Sequence, residues 1–279
     1  MAFLRVQFIS VLIVASLFSL VSHAQASLTA ADSSCRCDLK VEDPLEQPQR
    51  FAFGKFNGQC IDSCRFRPVH IFKDEKTLRL GNILHYGKYY EAQIPLQDLD
   101  KIEVGFEEFV FSVYHVFLKF TVKKNSSALL LKEQLHPEHQ LQTRSLVISS
   151  EGVPPKDHKY SLWESFQGHY LLAHRLVTGD ELTRWLQEYK HPVVLHTLQI
   201  SDTQVPQIFQ RAIQKSASKK LQDVYQLFSN NCSTSSLGFI DEAEALRPKN
   251  FWEKFEESLS VAGPLGTLRI LSSRGLIKE

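Results

Sequence analysis

The sequence predicts an α+β domain in which a sheet comes mainly from the first half of the chain and helices from the second. Two patterns predict it: residues 71–122 are rich in Tyr, Phe, Val and Ile with period-two stretches, and from Leu182 onward apolar residues recur at helical spacing. A third observation concerns the N-terminal side, where four of the five cysteines fall between Cys35 and Cys64. They predict a segment held by disulfides in front of the main domain.

Taken in order, the chain opens with one cation, Arg5, then a nearly charge-free apolar run from Phe8 to Val21, then small residues that offer cleavage after Ala24 or Ala26. This is the layout of a secretory signal peptide over residues 1–24. The run is short of the roughly 20 apolar residues that a spanning helix needs. The next most apolar stretch, Phe109 to Val122, is also too short and contains His115 and Lys119. The expectation is an exported protein, periplasmic or secreted, with no transmembrane segment after signal cleavage. A formal net charge of +1 gives no reason to expect nucleic acid or an anionic membrane as partner.

Residues 27–68 are polar and contain proline and the C-x-C pair Cys35/Cys37 and the C-x3-C pair Cys60/Cys64. Neighbours in C-x-C bridge poorly, so both disulfides are expected to run between the pairs. Whether Cys35 meets Cys60 or Cys64 is open at this point, and a four-sulfur zinc site would use the same residues. Export favours oxidation over thiolate ligation. Residues 69–279 then form the main domain.

Within it, His85–Ile94 and Ile102–Val122 read as strands. Val110, Ser112, Tyr114, Val116, Leu118 and Phe120 alternate with Phe111, Val113, His115, Phe117 and Lys119, and because both sets are largely apolar this strand is expected to be central and covered on both faces. Lys123–Ser127 ends it in a turn. Residues 133–178 read as loop-rich. Leu182, Trp185, Leu186 and Tyr189 then share a helical face, Val193–Ile200 reads as a strand, and Ser201-Asp202-Thr203-Gln204 starts a helix using Val205, Ile208, Phe209, Ala212 and Ile213. Asn230 and Asn231 are good N-caps, and Leu237 and Ile240 continue a helical period, so Cys232 is expected at a helix N-terminus.

Cys232 is the odd cysteine of an exported chain: a buried hydrophobe, a partner for another chain, or a nucleophile. A helix N-terminus supplies unsatisfied N–H groups and positive dipole, which favour thiolate over thiol and offer donors to an oxyanion. A base is still required. His115 is the best of the eleven histidines, because an imidazole inside an apolar strand is costly unless it is hydrogen-bonded or used. No motif marks the group that would orient it.

The segment Tyr114-His115-Val116-Phe117-Leu118-Lys119-Phe120 resembles the Gly-His-Thr-x-Leu-Arg strand of the Lnb N-terminal periplasmic domain family. Phe228-Ser229-Asn230-Asn231-Cys232-Ser233-Thr234 resembles its Asn-Cys-Ser/Thr helix start, and Phe166-Gln167-Gly168-His169-Tyr170 its Gly-Gly-Tyr loop. The order and separation of the three blocks agree over roughly residues 106–246. Here Tyr114 stands for the family's glycine, Val116 for its threonine, Lys119 for its arginine and His169 for the second loop glycine.

The resemblance implies a circularly permuted papain-like core, an antiparallel sheet packed against helices, with the histidine upstream on a strand and the cysteine downstream on a helix. It implies Cys232 as nucleophile, His115 as general base and transfer through a thioester. Asn231 is expected as an N-cap with a possible oxyanion or orienting role, and Lys119, His169 and Tyr170 as cleft residues. The implied substrate is acyl- or amide-containing, a lipoprotein amino terminus or a cell-wall peptide. The competing expectations are a cell-wall peptidase or amidase, and a non-catalytic binding module on the same fold. No cofactor is expected and no metal: in His136-Pro137-Glu138-His139 proline breaks the helix that would align two ligands, and His169 and His174 do not share a helical face.

Overall fold

The computed structural model describes residues 33–73, 77–110, 113–217, 221, 223–227, 229–244 and 264–278; the expected signal peptide lies outside the described residues. The elements in chain order are β1 (His70–Ile71), β2 (Leu78–His85), β3 (Lys88–Ile94), β4 (Leu99–Val110), β5 (Val113–Val122), β6 (Leu129–Glu133), β7 (Gln140–Thr143), β8 (Ser145–Val153), α1 (Leu162–Phe166), β9 (Leu171–Thr178), α2 (Gly179–Tyr189), β10 (Val193–Thr197), α3 (Gln204–Ser216), α4 (Cys232–Glu244) and α5 (Pro264–Ser273). The strands make one sheet in the order β10-β4-β5-β8-β9-β2-β3-β6-β7, with β1 paired to β2. All neighbours are antiparallel except β2 and β9, which pair in parallel at Leu84↔Val177.

The protein is thus a mixed α+β fold: a large sheet, few helices, and two disulfides in the N-terminal segment. On one face Val116, Leu118 and Phe120 of β5 pack with Val205, Ile208, Phe209 and Ile213 of α3 and with Leu237 and Ile240 of α4. On the other, Phe117, Val147 and Val177 pack with Leu182, Trp185 and Leu186 of α2. Burial on both faces explains why β5 reads as a nearly unbroken apolar run.

The starts of α2 and α3 follow from their local sequence. Thr178 caps α2 by accepting the Glu181 N–H at 3.1 Å, Asp180 and Glu181 place negative charge in its first turn, and Lys190 ends it in the left-handed region. Before α3, the Gln204 side chain accepts the Ser201 N–H at 2.8 Å, one half of a capping box. Pro206 falls in the first turn of α3, where its missing N–H breaks no helical bond.

Three segments differ from the sequence reading. Ile102–Val122 is not one strand but most of a hairpin, β4 and β5, paired from Leu99↔Val122 to Val110↔Val113. His85–Ile94 is divided by a two-residue turn in which Tyr86 and Gly87 both have positive φ, 46° and 75°; a tyrosine in the first position hides a turn that Asn or Gly would announce. Residues 133–178, read as loop-rich, hold β7, β8, α1 and β9. Ser149, Ser150 and Glu151 interrupt the apolar run of β8, although all but Ser145 and Glu151 of that strand are buried.

The N-terminal segment is stapled by Cys35–Cys60 and Cys37–Cys64, so the pairing is first to third and second to fourth, and all four sulfurs are withdrawn from metal ligation. Such bonds fit an oxidising compartment. Arg67 is buried beneath the staples, with Asp43 and Glu46 as ionic partners and the Tyr89 ring at 4.0 Å. Phe51, Phe56 and Ile61 pack on Val153, Tyr170, Leu171 and Tyr225. No helix among the described residues is long and apolar enough to cross a membrane.

Gly105 on β4 lies opposite Phe117 on β5, and a Cβ there would stand 2.1 Å from the Phe117 ring. The ring is fully buried and has little room to move. Gly105→Ala is therefore expected to lower stability by about 1–3 kcal/mol, read from the midpoint of chemical denaturation; an unchanged midpoint would show that the ring can be displaced freely.

Candidate active site

The pairing of β5 with β8 runs from Thr121↔Ser145 to Phe117↔Ser149 and stops. β8 continues alongside β9 as far as Val153↔Leu171. At His115 and Val116, β5 therefore has β4 on one side and an opening on the other. Helix α4 packs across β5 and β8, with Cys232 as its first residue.

The local sequence fixes that helix start. Asn231 accepts the Thr234 N–H through Oδ1 at 3.0 Å, and the Thr234 hydroxyl accepts the Asn231 N–H at 2.8 Å, a reciprocal cap with threonine in the place usual for Glu or Gln. The Asn231 side-chain amide donates to the Leu227 carbonyl at 2.6 Å. Asn230 ties the preceding turn back by donating to the Val224 carbonyl at 2.9 Å. One asparagine holds the turn and the other starts the helix, and both polar ends of the Asn231 side chain are engaged in that task.

Cys232 is 5% exposed. Its sulfur lies beside the His115 imidazole, with the Val116 N–H and the Ser233 hydroxyl as further polar neighbours. Burial pushes the thiol up. The charge and hydrogen bond of His115, with the Val116 and Ser233 donors, outweigh it and bring Cys232 below the ordinary thiol range. For His115 burial acts downward, but the charge and hydrogen bond of Cys232, followed by the charges of Glu151 and Glu107, raise it to about 9. Both shifts favour one state, thiolate beside imidazolium.

A polar chain extends behind the histidine. His115 Nε2 lies 2.6 Å from Ser149 Oγ, Ser149 Oγ donates to Glu151 at 2.7 Å, and Arg175 donates to Glu151 at 2.5 Å. Burial pushes the Glu151 carboxyl up, while the Arg175 and His115 charges and bonds from Ser149 and Arg175 hold it below the usual carboxylate range. Glu107, opposite His115 in the register, is bound to His191 Nδ1 at 2.7 Å.

Two tyrosines close the other side. Tyr225 lies beside Cys232. Burial, then the charge of Cys232, raises its phenol far above the normal range. Its ring rests on Gly152, where a Cβ would stand 3.1 Å away. Tyr160, half exposed, donates its hydroxyl to Ser165 at 3.0 Å and feels the charge of Cys232.

Of the residues singled out in the sequence, Cys232, His115 and Asn231 come together. Tyr170 is buried beside them in a supporting position: its hydroxyl accepts the Ser161 N–H at 2.9 Å, its ring stacks on Phe56, and its carbonyl accepts the Tyr225 N–H at 2.9 Å. His169 is bound to Glu164 at 2.5 Å and lies against Phe56. Lys119 is ion-paired with Glu103 at 3.3 Å, four residues or two pleat repeats along β5 from His115, about 13 Å at strand rise. His174 bonds Ser150 at 2.7 Å, and burial holds it near 4, neutral. A cavity of about 190 Å³ beside His174 and Arg175 and a groove of about 680 Å³ along β3 are lined by neither Cys232 nor His115. His136 and His139 sit in the β6–β7 connection with Glu138 and Glu133 as their partners, and no cluster suited to a metal ion occurs among the described residues.

Sequence reasoning did not identify Ser149, Glu151, Arg175, Tyr160 or Tyr225. The only available signal was a period-two pair of polar residues, Ser149 and Glu151, following the apolar Leu146-Val147-Ile148.

Compared with protein-family models, curated proteins and solved structures, the chain matches none.

The ion pair predicts a pH response. Cys232 should show thiolate absorbance at lower pH than an ordinary thiol, and the His115 imidazolium should persist until pH rises through about 9. His115→Ala removes the main opposing charge while burial remains, so the onset of thiolate absorbance should move to higher pH. Identical titrations of the two proteins would exclude the ion pair.

Proposed function

We propose that the protein is an exported, cysteine-dependent acyl-transfer enzyme, with Cys232 as nucleophile and His115 as proton carrier, on a circularly permuted papain-like core of the Lnb N-terminal domain type. The observation that carries this reading is the pairing of the buried Cys232 at the start of α4 with His115 on β5, whose ring is held from behind by Ser149 and Glu151. A buried thiol with an apolar function would have no use for four polar neighbours. The chain order, strand histidine before helix cysteine, supports the permuted arrangement, and the two disulfides support export.

The chemistry follows from the resting state. The Cys232 thiolate attacks the carbonyl carbon of an acyl donor, and the oxygen becomes anionic. The first N–H groups of a helix have no intrahelical acceptor, so those heading α4 can take up that charge along with the positive end of the dipole. As the tetrahedral centre collapses, the bond to the leaving group breaks and the His115 imidazolium gives that group its proton. This leaves a Cys232 thioester and neutral His115. An amine or water then attacks the thioester; His115 accepts its proton, the C–S bond breaks, and the thiolate–imidazolium pair is restored. Attack by an amine is acyl transfer, and attack by water is hydrolysis. The substrate class is a carbonyl compound of the lipoprotein or wall-peptide kind.

The direct test is mass spectrometry of lipoprotein amino termini and wall peptides from cells with and without the gene, together with trapping of an acyl adduct on the purified protein. The adduct should map to Cys232 and vanish in Cys232→Ala, and His115→Ala should slow its formation about 10²–10⁴-fold. A protein that alters neither class of molecule and forms no adduct is a binding module.

A further inference from the structure

We propose that Glu151, acting through the Ser149 hydroxyl, is the positioning carboxylate of His115, and that Arg175 holds it in place. This rests on the reading of Cys232 and His115 as a working pair, and adds the group that the sequence leaves unnamed.

The argument is a count of protons. A serine hydroxyl has one hydrogen, and that of Ser149 is given to Glu151. Its contact with His115 Nε2 at 2.6 Å must therefore run the other way, with Nε2–H donating and Ser149 Oγ accepting. Nε2 then carries a proton in both states of the ring, and Nδ1 alone exchanges its proton with Cys232. If Glu151 loses its charge, the Ser149 hydroxyl is released to donate to Nε2. That would stabilise the tautomer with hydrogen on Nδ1, which cannot accept a proton from an attacking group.

Topology makes the relay rigid. Phe117, Ser149 and Arg175 are register partners across β5, β8 and β9, so the three side chains share one face. His115 and Glu151 lie two residues from Phe117 and Ser149 and fall on the same face. Arg175 is fixed by Trp185 at 4.2 Å and Phe66 at 5.2 Å, and its side chain is 11% exposed. The charged and titratable groups that face His115 are Cys232 from α4, Glu151 from β8 with Arg175 from β9 behind it, and Glu107 from β4. Glu107 is committed to His191. Tyr160 and Tyr225 face the sulfur.

The test is the pH profile of thiolate absorbance and of Cys232 alkylation by iodoacetamide in Ser149→Ala, Ser149→Thr and Glu151→Gln, beside wild type and His115→Ala. Ser149→Ala and Glu151→Gln should lower the alkaline limb, at which the His115 imidazolium loses its proton, by about one unit, a tenfold loss of imidazolium there. Ser149→Thr, which restores the hydroxyl, should recover the wild-type profile; a merely structural loss would not be repaired in this way. If Glu151→Gln fails to fold, Ser149→Ala, which leaves the Glu151–Arg175 pair intact, carries the test. Wild-type limbs in Ser149→Ala and Glu151→Gln, with His115→Ala still altered, would overturn the relay and leave the reacting pair standing. An ordinary thiol titration in wild type, unchanged in His115→Ala, would overturn both.

Discussion

A thiolate withdrawn from water needs its hydration replaced, and the local architecture is organised around the place where this is done. The replacement donors are the His115 imidazolium, the Val116 N–H and the Ser233 hydroxyl, contributed by β5 and α4, with Tyr225 from the turn before the helix. They converge because β5 and β8 part after Phe117↔Ser149. A further pair of ladder positions would close the gap in which the sulfur lies. The hydrophobic layers on both faces of β5 are what allow the strands to part at one end without losing their alignment at the other.

This concentration of polar groups inside a core is tolerated because each is answered by a neighbour. Ser149 is placed between His115 and Glu151, Glu151 between Ser149 and Arg175, Glu107 against His191, and His174 against Ser150. Removing one member leaves the next unpaired in a place where water does not readily substitute, which is a larger penalty than the bond itself contributes. Adjacent residues of one strand thus serve two systems: Ser149 and Glu151 face the α2 side with His115, while Ser150 faces the α4 side with His174, a neutral imidazole packed on Phe239.

The parts of the fold legible in the sequence are those where one pattern dominates. β5 is an apolar run, α2 and α3 have clean helical faces, and the asparagines before Cys232 announce a helix start. Cys232 stood out by odd count, and His115 by lying within an apolar strand. β8 and β9 were not legible because the residues that supply the relay, Ser149, Glu151 and Arg175, are polar interruptions in strands. Their use depends on neighbours more than 20 residues away: Ser149 meets His115 at a separation of 34, and Glu151 meets Arg175 at 24. Periodicity reports which way a residue points but not which strand lies beside it. Tyr225 was hidden for a different reason. It precedes the helix, and only the small Gly152 on another strand makes room for its ring.

The contact of the stapled N-terminal segment with Tyr170 and Tyr225 bears on how the molecule comes into being. Phe51, Phe56 and Ile61 pack in one cluster with Tyr170 and with Tyr225, the neighbour of Cys232. The site therefore draws on the stapled N-terminal segment and on residues after 220 as well as on strands from the middle of the chain. Closing such long loops delays the contacts that depend on them. The hairpin β4–β5 can form early from neighbours in sequence, whereas the surroundings of Cys232 are completed only when the first and last parts of the chain meet. The surroundings of the thiol are then completed at the end of folding rather than at its beginning, and the two cross-links, by constraining one of those parts, shorten the search.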